Sequence, residues 1–244
     1  MRLLDVDRLT KAYGGLVAVN DASFSVESGS ITALIGPNGA GKTTAFDLIS
    51  GIVEPQSGSV SFDGTAIAGW APHLITRLGI GRTFQITREL GDMTVLENMV
   101  VPSATGGLRR LFSRRITADE RRRALDLLAF VGIDHLSEQR AKSLSYGQRK
   151  LLELASVLMA APRLVLLDEP AGGVNPALLE RIMERIRALN AQGTTFLIVE
   201  HNMDVVMQLS HSVIVMAHGE VILQGPPDLV QADHRVLDAY LGTA

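Results

Sequence analysis

Ile31-Thr32-Ala33-Leu34-Ile35-Gly36-Pro37-Asn38-Gly39-Ala40-Gly41-Lys42-Thr43-Thr44 sets an apolar, strand-like run directly before a glycine-rich loop that ends in a lysine and two threonines. A glycine, four residues, then Gly-Lys-Thr is the spacing of a phosphate-binding loop, and its required context is a strand before it and a helix after it. Both are present, since Thr44 to Gly51 reads as a helix whose Phe46, Leu48 and Ile49 face a sheet. The residue types suit the task. Gly36, Gly39 and Gly41 allow backbone N–H groups to close around an anion, and Asn38 lies within the same loop. Lys42 supplies mobile positive charge, Thr43 can place its hydroxyl on a magnesium ion at the helix start, and Thr44 adds a phosphate contact.

Working outward, short strands are expected at Leu3 to Val6, Ala22 to Val26, Ile31 to Ile35 and Ser59 to Phe62, the last closed by Asp63-Gly64. Between about residues 86 and 145 the strand signal fades. Thr94-x-x-Glu97 and Thr117-x-x-Glu120 are capping boxes that predict helices there, joined by a turn-rich basic connection ending in Arg109, Arg110, Arg114 and Arg115. A helix starts near Tyr146 and shows an apolar face of Leu151, Leu152, Leu154, Ala155, Leu158 and Met159 before Pro162 stops it. Leu164 to Asp168 and Thr194 to His201 are nearly continuous apolar runs, as expected for parallel strands covered on both faces. Between them Asn175 is placed as an N-cap with Pro176 at the first helical position, and Leu178, Ile182, Ile186 and Leu189 recur along the helix. Val213 to Leu223 reads as a hairpin, and Asp228 onward as a terminal helix with Leu229 and Leu237 packing inward. The expectation is one α/β nucleotide-binding domain over residues 1–244. Its core comprises 1–85 and 160–244 with a β-rich edge, and 86–159 form a mainly helical subdomain.

Composition bounds the function. The 244 residues are 46% hydrophobic and 20% charged, which is a compact globular chain with a substantial core. The 23 basic side chains are offset by 26 acidic ones, and a formal charge of -3 gives no global attraction to nucleic acid. The absence of cysteine excludes disulfides, a thiol nucleophile and thiolate metal sites, and fits a reducing compartment. The N-terminal segment lacks the apolar centre of a signal peptide, so cytoplasmic residence is expected. Despite a mean hydropathy of +0.20 no apolar run reaches the ~20 residues of a membrane span. Any membrane role must then come through partners.

Four further groups carry chemistry beside the loop. Asp168 and Glu169 end an apolar strand, where a parallel sheet presents side chains to a nucleotide. An acidic strand end alone is ordinary surface. Next to a phosphate loop, Asp168 can organise magnesium through coordinated water and Glu169 can polarise an attacking water. His201, ending another strand, can bridge the γ-phosphate and that water, whereas the remaining histidines lack compact metal-ligand spacing. Gln85, at the entry to the helical segment, can reach magnesium or the water with its amide, or be a plain surface glutamine. Ser145, Gly147 and Gln148 open a strong helix whose free backbone donors can hold a second anion, or simply cap the helix.

Jointly these residues resemble the ATP-binding subunit of an ABC transporter, over essentially the whole chain. Residues 36–43 are similar to its Walker A loop, Gln85 to its Q-loop residue, Leu144 to Gln148 to its signature, Leu164 to Glu169 to its Walker B strand, and His201 to its switch histidine. Tyr13 occupies the place of the aromatic that stacks on adenine, although an aromatic there also serves packing. The signature carries Tyr146 where glycine is common. The resemblance implies a P-loop nucleoside triphosphate hydrolase fold of the ABC ATPase type, with an antiparallel β subdomain and a helical insert. ATP and Mg2+ are the implied ligands. It further implies a head-to-tail dimer with a second, identical or paralogous ATPase subunit, in which Lys42 and Asp168 of one chain face Ser145 and Gly147 of the other. By the same resemblance residues 171–176, which must also make the strand-to-helix turn, are expected to communicate across that dimer. Two transmembrane permeases, a substrate-binding protein if the system imports, a place on the cytoplasmic face of the membrane and no specific nucleic acid complete the picture. Within the family the wording resembles the branched-chain amino-acid importers. ATPases for urea and other amides, and lipopolysaccharide or lipid exporters, share much of it, while soluble ABC ATPases of DNA repair or translation carry coiled-coil insertions or paired domains that this sequence does not show.

Overall fold

The structure, a computed structural model, describes residues 1–83, 90–100 and 116–241. Gln85 and the basic connection with Arg109, Arg110, Arg114 and Arg115 lie outside the described residues.

A six-stranded sheet forms the centre, in the order β10-β9-β3-β8-β7-β6. Its members are β3 (Ile31–Ile35), β6 (Ile80–Arg82), β7 (Leu164–Asp168), β8 (Thr195–Val199), β9 (Ser212–Ala217) and β10 (Glu220–Gly225). All neighbours pair in parallel except the β9–β10 hairpin. Every residue of β3, β7 and β8 is buried, and the alternating side chains of β7 and β8 serve two separate cores. Leu164, Leu166, Leu197 and Val199 face one side. Val165, Leu167, Phe196 and Ile198 face the other.

The first side is covered by α1 (Lys42–Ile49) and by an antiparallel sheet, β2-β1-β4-β5, of β1 (Arg2–Tyr13), β2 (Leu16–Glu27), β4 (Ser57–Phe62) and β5 (Thr65–Ala66). A short α2 (Pro72–Leu78) leads into β6. The second side is covered by α3 (Val95–Val100), α4 (Ala118–Val131), α5 (Tyr146–Leu158) and α6 (Pro176–Ala191), which bring Leu128, Leu151, Ala155, Ile182 and Ile186 into one core. Both expected capping boxes form. Glu97 N donates to Thr94 Oγ1 at 3.1 Å and Glu120 N to Thr117 Oγ1 at 3.2 Å, each glutamate closing back on the threonine N–H. Asn175 caps α6 by accepting from Leu178 N at 2.9 Å.

Two expectations about elements need correction. β1 and β2 run 12 residues each, well beyond Leu3 to Val6 and Ala22 to Val26. Polar Asp7, Arg8, Asn20 and Asp21 interrupt the apolar alternation, and Arg8 and Asp21 take positive φ, yet the ladder resumes beyond these register shifts. The terminal helix is two helices. After α7 (Met203–Leu209) and the hairpin come α8 (Pro227–Ala232) and α9 (His234–Leu241), separated by extended Asp233, whose Oδ1 accepts from Arg235 N at 2.9 Å. The break rotates the faces, so Leu229 and Leu237 are exposed, and Val230 and Val236 pack instead against Ile35 and Val215 of β3 and β9.

Candidate active site

Parallel pairing decides where the chemistry gathers. Val199 of β8 lies in register with Leu34 of β3 on one side and with Asp168 of β7 on the other. The residues that follow these strands therefore share one edge of the sheet: the loop from Gly36, the pair Asp168-Glu169, and Glu200-His201.

The loop is shaped by glycine where backbone crowds it. A β-carbon at Gly36 (φ +149°) would stand 2.1 Å from the Met216 carbonyl oxygen, and one at Gly41 (φ +98°) 2.3 Å from that of Ala18. Strand β2 thus presses on the loop from the same hairpin that carries Tyr13, which is half exposed with the Lys11 ammonium 5.5 Å from its ring centroid. Gly39 and Asn38 are exposed along the loop. Lys42 is buried and donates to the carbonyls of Gly36 at 2.8 Å and Pro37 at 2.9 Å, so its ammonium lies within the loop's own curve. Burial lowers its pKa, opposed by the negative charges of Glu169 and Asp168. Thr43 is exposed and Thr44 half-buried in the first turn of α1, where N–H groups have no partner within the helix.

Asp168 is buried at the end of β7, and burial raises its carboxyl above the usual range, opposed by Arg82 and assisted by Glu169. Arg82 was not singled out in the sequence. Its guanidinium is 3.8 Å from Asp168 Oδ2, 2.7 Å from Asp47 and 2.7 Å from the Ser50 hydroxyl, joining the carboxylate at the end of β7 to α1. Thr83 Oγ1 accepts from the Asp168 N–H at 3.1 Å. Asp168 Oδ1 is buried without a hydrogen-bond partner among the described residues. An orphaned carboxylate oxygen, an exposed threonine hydroxyl at a helix N-terminus and a glycine cradle that no side chain can fill form a donor set that fits a magnesium-bound triphosphate.

Glu169 follows with φ +48°, a left-handed conformation unusual for a non-glycine residue. Its N–H donates to Val199 O at 3.0 Å and its Oε2 lies 3.3 Å from His201 Nε2. Glutamate and histidine, 32 positions apart in sequence (201 minus 169), meet at the sheet edge. His201 is half exposed, so this pair opens to solvent.

Ser145, Gly147 and Gln148 do not join this group within the chain. Ser145 accepts from Gln148 N at 3.3 Å and Gln148 Oε1 accepts from Ser145 N at 2.8 Å, a capping box at the start of α5. A β-carbon at Gly147 would stand 2.3 Å from Leu178 Cδ2, so the glycine already serves packing of α5 on α6. Tyr146 reaches further. Its hydroxyl donates to Gly172 O at 3.1 Å, tying the first residue of α5 to the turn after Glu169. Glu200 also escaped the sequence reading, where it is one acid next to a histidine. It is 2% exposed, and its carboxylate accepts three backbone N–H groups from two turns.

The site and fold can be set beside known proteins. Residues 19–172 match the family described as ABC transporter, and residues 220–244 match that described as branched-chain amino acid ATP-binding cassette transporter. The chain is 42% identical over 247 residues to the probable branched-chain amino acid transport ATP-binding protein LivG of Archaeoglobus fulgidus, covering 99% of this chain and 96% of that one. It is 36% identical over 251 residues to the high-affinity branched-chain amino acid transport ATP-binding protein BraF of Pseudomonas aeruginosa, at 99% and 98% coverage. The crystal structure of the ADP conformation of MJ1267, an ATP-binding cassette of an ABC transporter, superposes with a TM-score of 0.90 at 34% identity and 99% coverage of both chains. A phosphate loop, an acidic strand end and a histidine gather on one sheet edge, relatives of this kind match the chain along its full length, and the chain belongs to the ABC transporter family of ATP-binding proteins, whose subunits hydrolyse ATP to power transport.

Proposed function

We propose that this chain powers import of branched-chain or related amino acids through separate membrane permeases, with Glu169 as the base of its ATPase reaction. The observation that carries the catalytic reading is the 3.3 Å approach of His201 Nε2 to Glu169 Oε2 beside Asp168 and the loop of Lys42. Glu169 accepts the proton of the attacking water, and His201 holds the carboxylate in place from its other side. Lys42 and the backbone N–H groups of the loop carry the charge of the phosphates, and Tyr13 offers its ring to the adenine. Asp168 and Thr43, with Gln85, are the residues that would hold magnesium. The metal, when bound, neutralises charge on the phosphate oxygens.

Import of amino acids is supported by the C-terminal match over residues 220–244 and by the names of the relatives. Among the described residues no helix is long and apolar enough to cross a membrane, in keeping with a subunit that works on permeases from the cytoplasmic face. In a head-to-tail pair, Ser145, Gly147 and Gln148 of one chain would complete the site of the other, and residues 86–159 would face the permeases. Urea or amide import and lipid export are the competing cargoes.

Magnesium-dependent ATP hydrolysis of the wild type and Glu169→Gln tests the catalytic reading. Retained nucleotide binding with turnover reduced at least ~100-fold is expected of a lost general base, and equal turnover would remove Glu169 from that role. Co-purification of the native complex, with identification of its permeases and of the solute taken up, tests the cargo.

A further inference from the structure

Glu200 sits at the end of β8, between the apolar strand and the switch histidine, and is 2% exposed. A carboxylate so deeply buried must be compensated in place, and among the described residues its hydrogen bonds are with backbone N–H groups. Oε1 accepts from Ala171 N at 2.7 Å. Oε2 accepts from His201 N at 2.9 Å and Asn202 N at 3.0 Å. The two oxygens are thus divided between two turns, one following Glu169 and one carrying His201.

The turn after Glu169 needs such a hold. Glu169 itself takes φ +48°, a strained conformation that persists only where surrounding structure over-determines it. Gly172 N returns to Glu169 O at 3.0 Å, so Ala171 lies inside a closed turn whose first residue is the strained glutamate. Fixing the Ala171 N–H fixes that turn. Fixing the N–H groups of His201 and Asn202 with the same carboxylate sets the histidine's backbone relative to it.

We infer that Glu200 is a positioning residue for ATP hydrolysis: its two carboxylate oxygens hold the turn after Glu169 and the turn of His201 in the relative placement that lets those two side chains meet. This rests on the reading of Glu169 and His201 as the catalytic pair. Among the described residues the Glu200 carboxylate bonds only to backbone N–H groups, so it acts on the pair through the backbone. Only a carboxylate serves both sides. A glutamine keeps one acceptor and turns an NH2 donor towards the N–H of the other turn, and an aspartate is one methylene short of spanning both.

The experiment compares Glu200→Gln and Glu200→Asp with Glu169→Gln in the full chain. It measures affinity for a fluorescent ATP analogue, turnover at saturating ATP, and amide hydrogen exchange. Both Glu200 variants are expected to bind nucleotide within about twofold of wild type while turnover falls about 10- to 100-fold, the scale of a sub-ångström to 1 Å misplacement. Exchange at Ala171 is expected to quicken in both. In the Glu169→Gln background, Glu200→Gln is expected to cause no further loss, because it acts through the Glu169 carboxylate that this substitution has already replaced. Unchanged turnover in folded Glu200 variants, parallel loss of binding and turnover, or a full additional loss on top of Glu169→Gln would each overturn the inference. If Glu169→Gln itself retains turnover, the catalytic reading fails and takes the inference with it. If Glu169→Gln is inactive while both Glu200 variants turn over normally, only the inference fails.

Discussion

Asp168, proposed above to hold magnesium, sits where its own charge costs the fold stability. Its buried carboxylate has an oxygen with no hydrogen-bond partner among the described residues, and its pKa is raised by burial more than Arg82 can offset. A group with a raised folded pKa destabilises the fold when ionised. The penalty is complete above the folded pKa, fades as pH falls through it, and vanishes below the unfolded value of about 4. Asp168→Asn is therefore expected to raise the thermal midpoint at pH 7 without ligand, with the gain shrinking towards pH 4 and magnesium-dependent turnover lost. Scanning calorimetry across that pH range reads the sign directly. Gly41→Ala acts oppositely. Its β-carbon would meet the Ala18 carbonyl oxygen at 2.3 Å with φ at +98°, and an expected loss of about 1–3 kcal/mol, seen as a lowered urea midpoint, accompanies weakened nucleotide binding. Lys42, Asp168 and Glu169 are legible in the sequence because motif spacing names them. Arg82 and Glu200 are not, because an arginine after a glycine and an acid before a histidine are ordinary neighbours in one dimension. Only the parallel register of β7 and β8 turns Glu200 inward between two turns.

At the scale of elements, local rules and tertiary pairing divide the result. The three central strands are readable from their unbroken apolar runs, and α4 and α6 from their caps, because those signals are local. Asn175 is half of one such signal, and Asn175→Ala is expected to lower stability by about 1 kcal/mol in a urea titration. The outer strands are only partly readable. β1 and β2 continue through polar, bulged positions since pairing, not alternation, sustains them, with Asp5 opposite Ser25 and Lys11 opposite Val19 on either side of the shifts. The C-terminal pair of helices misleads in another way. Leu229 and Leu237 are eight apart and would share a face on one continuous helix, but extended Asp233 resets the phase between them.

For the whole molecule, topology accomplishes what no segment does alone. One parallel edge gathers residues 36–44, 168–169 and 200–201, while alternate side chains of the same strands anchor the antiparallel sheet on one face and the helices on the other. The signature residues stand apart from this edge within the chain, locked into the start of α5. Yet Tyr146 at that helix start is bonded through its hydroxyl to Gly172, next to the residue that Glu200 grips. In the proposed pair of subunits, α5 serves the opposite site, so this single phenol connects the status of one chamber to the grip on the other. In that pair the expected consequence is cooperativity: Tyr146→Phe, which removes one oxygen and keeps the ring, is expected to lower the Hill coefficient for ATP towards one while leaving the affinity of a lone subunit unchanged, as titrated hydrolysis and equilibrium binding would show.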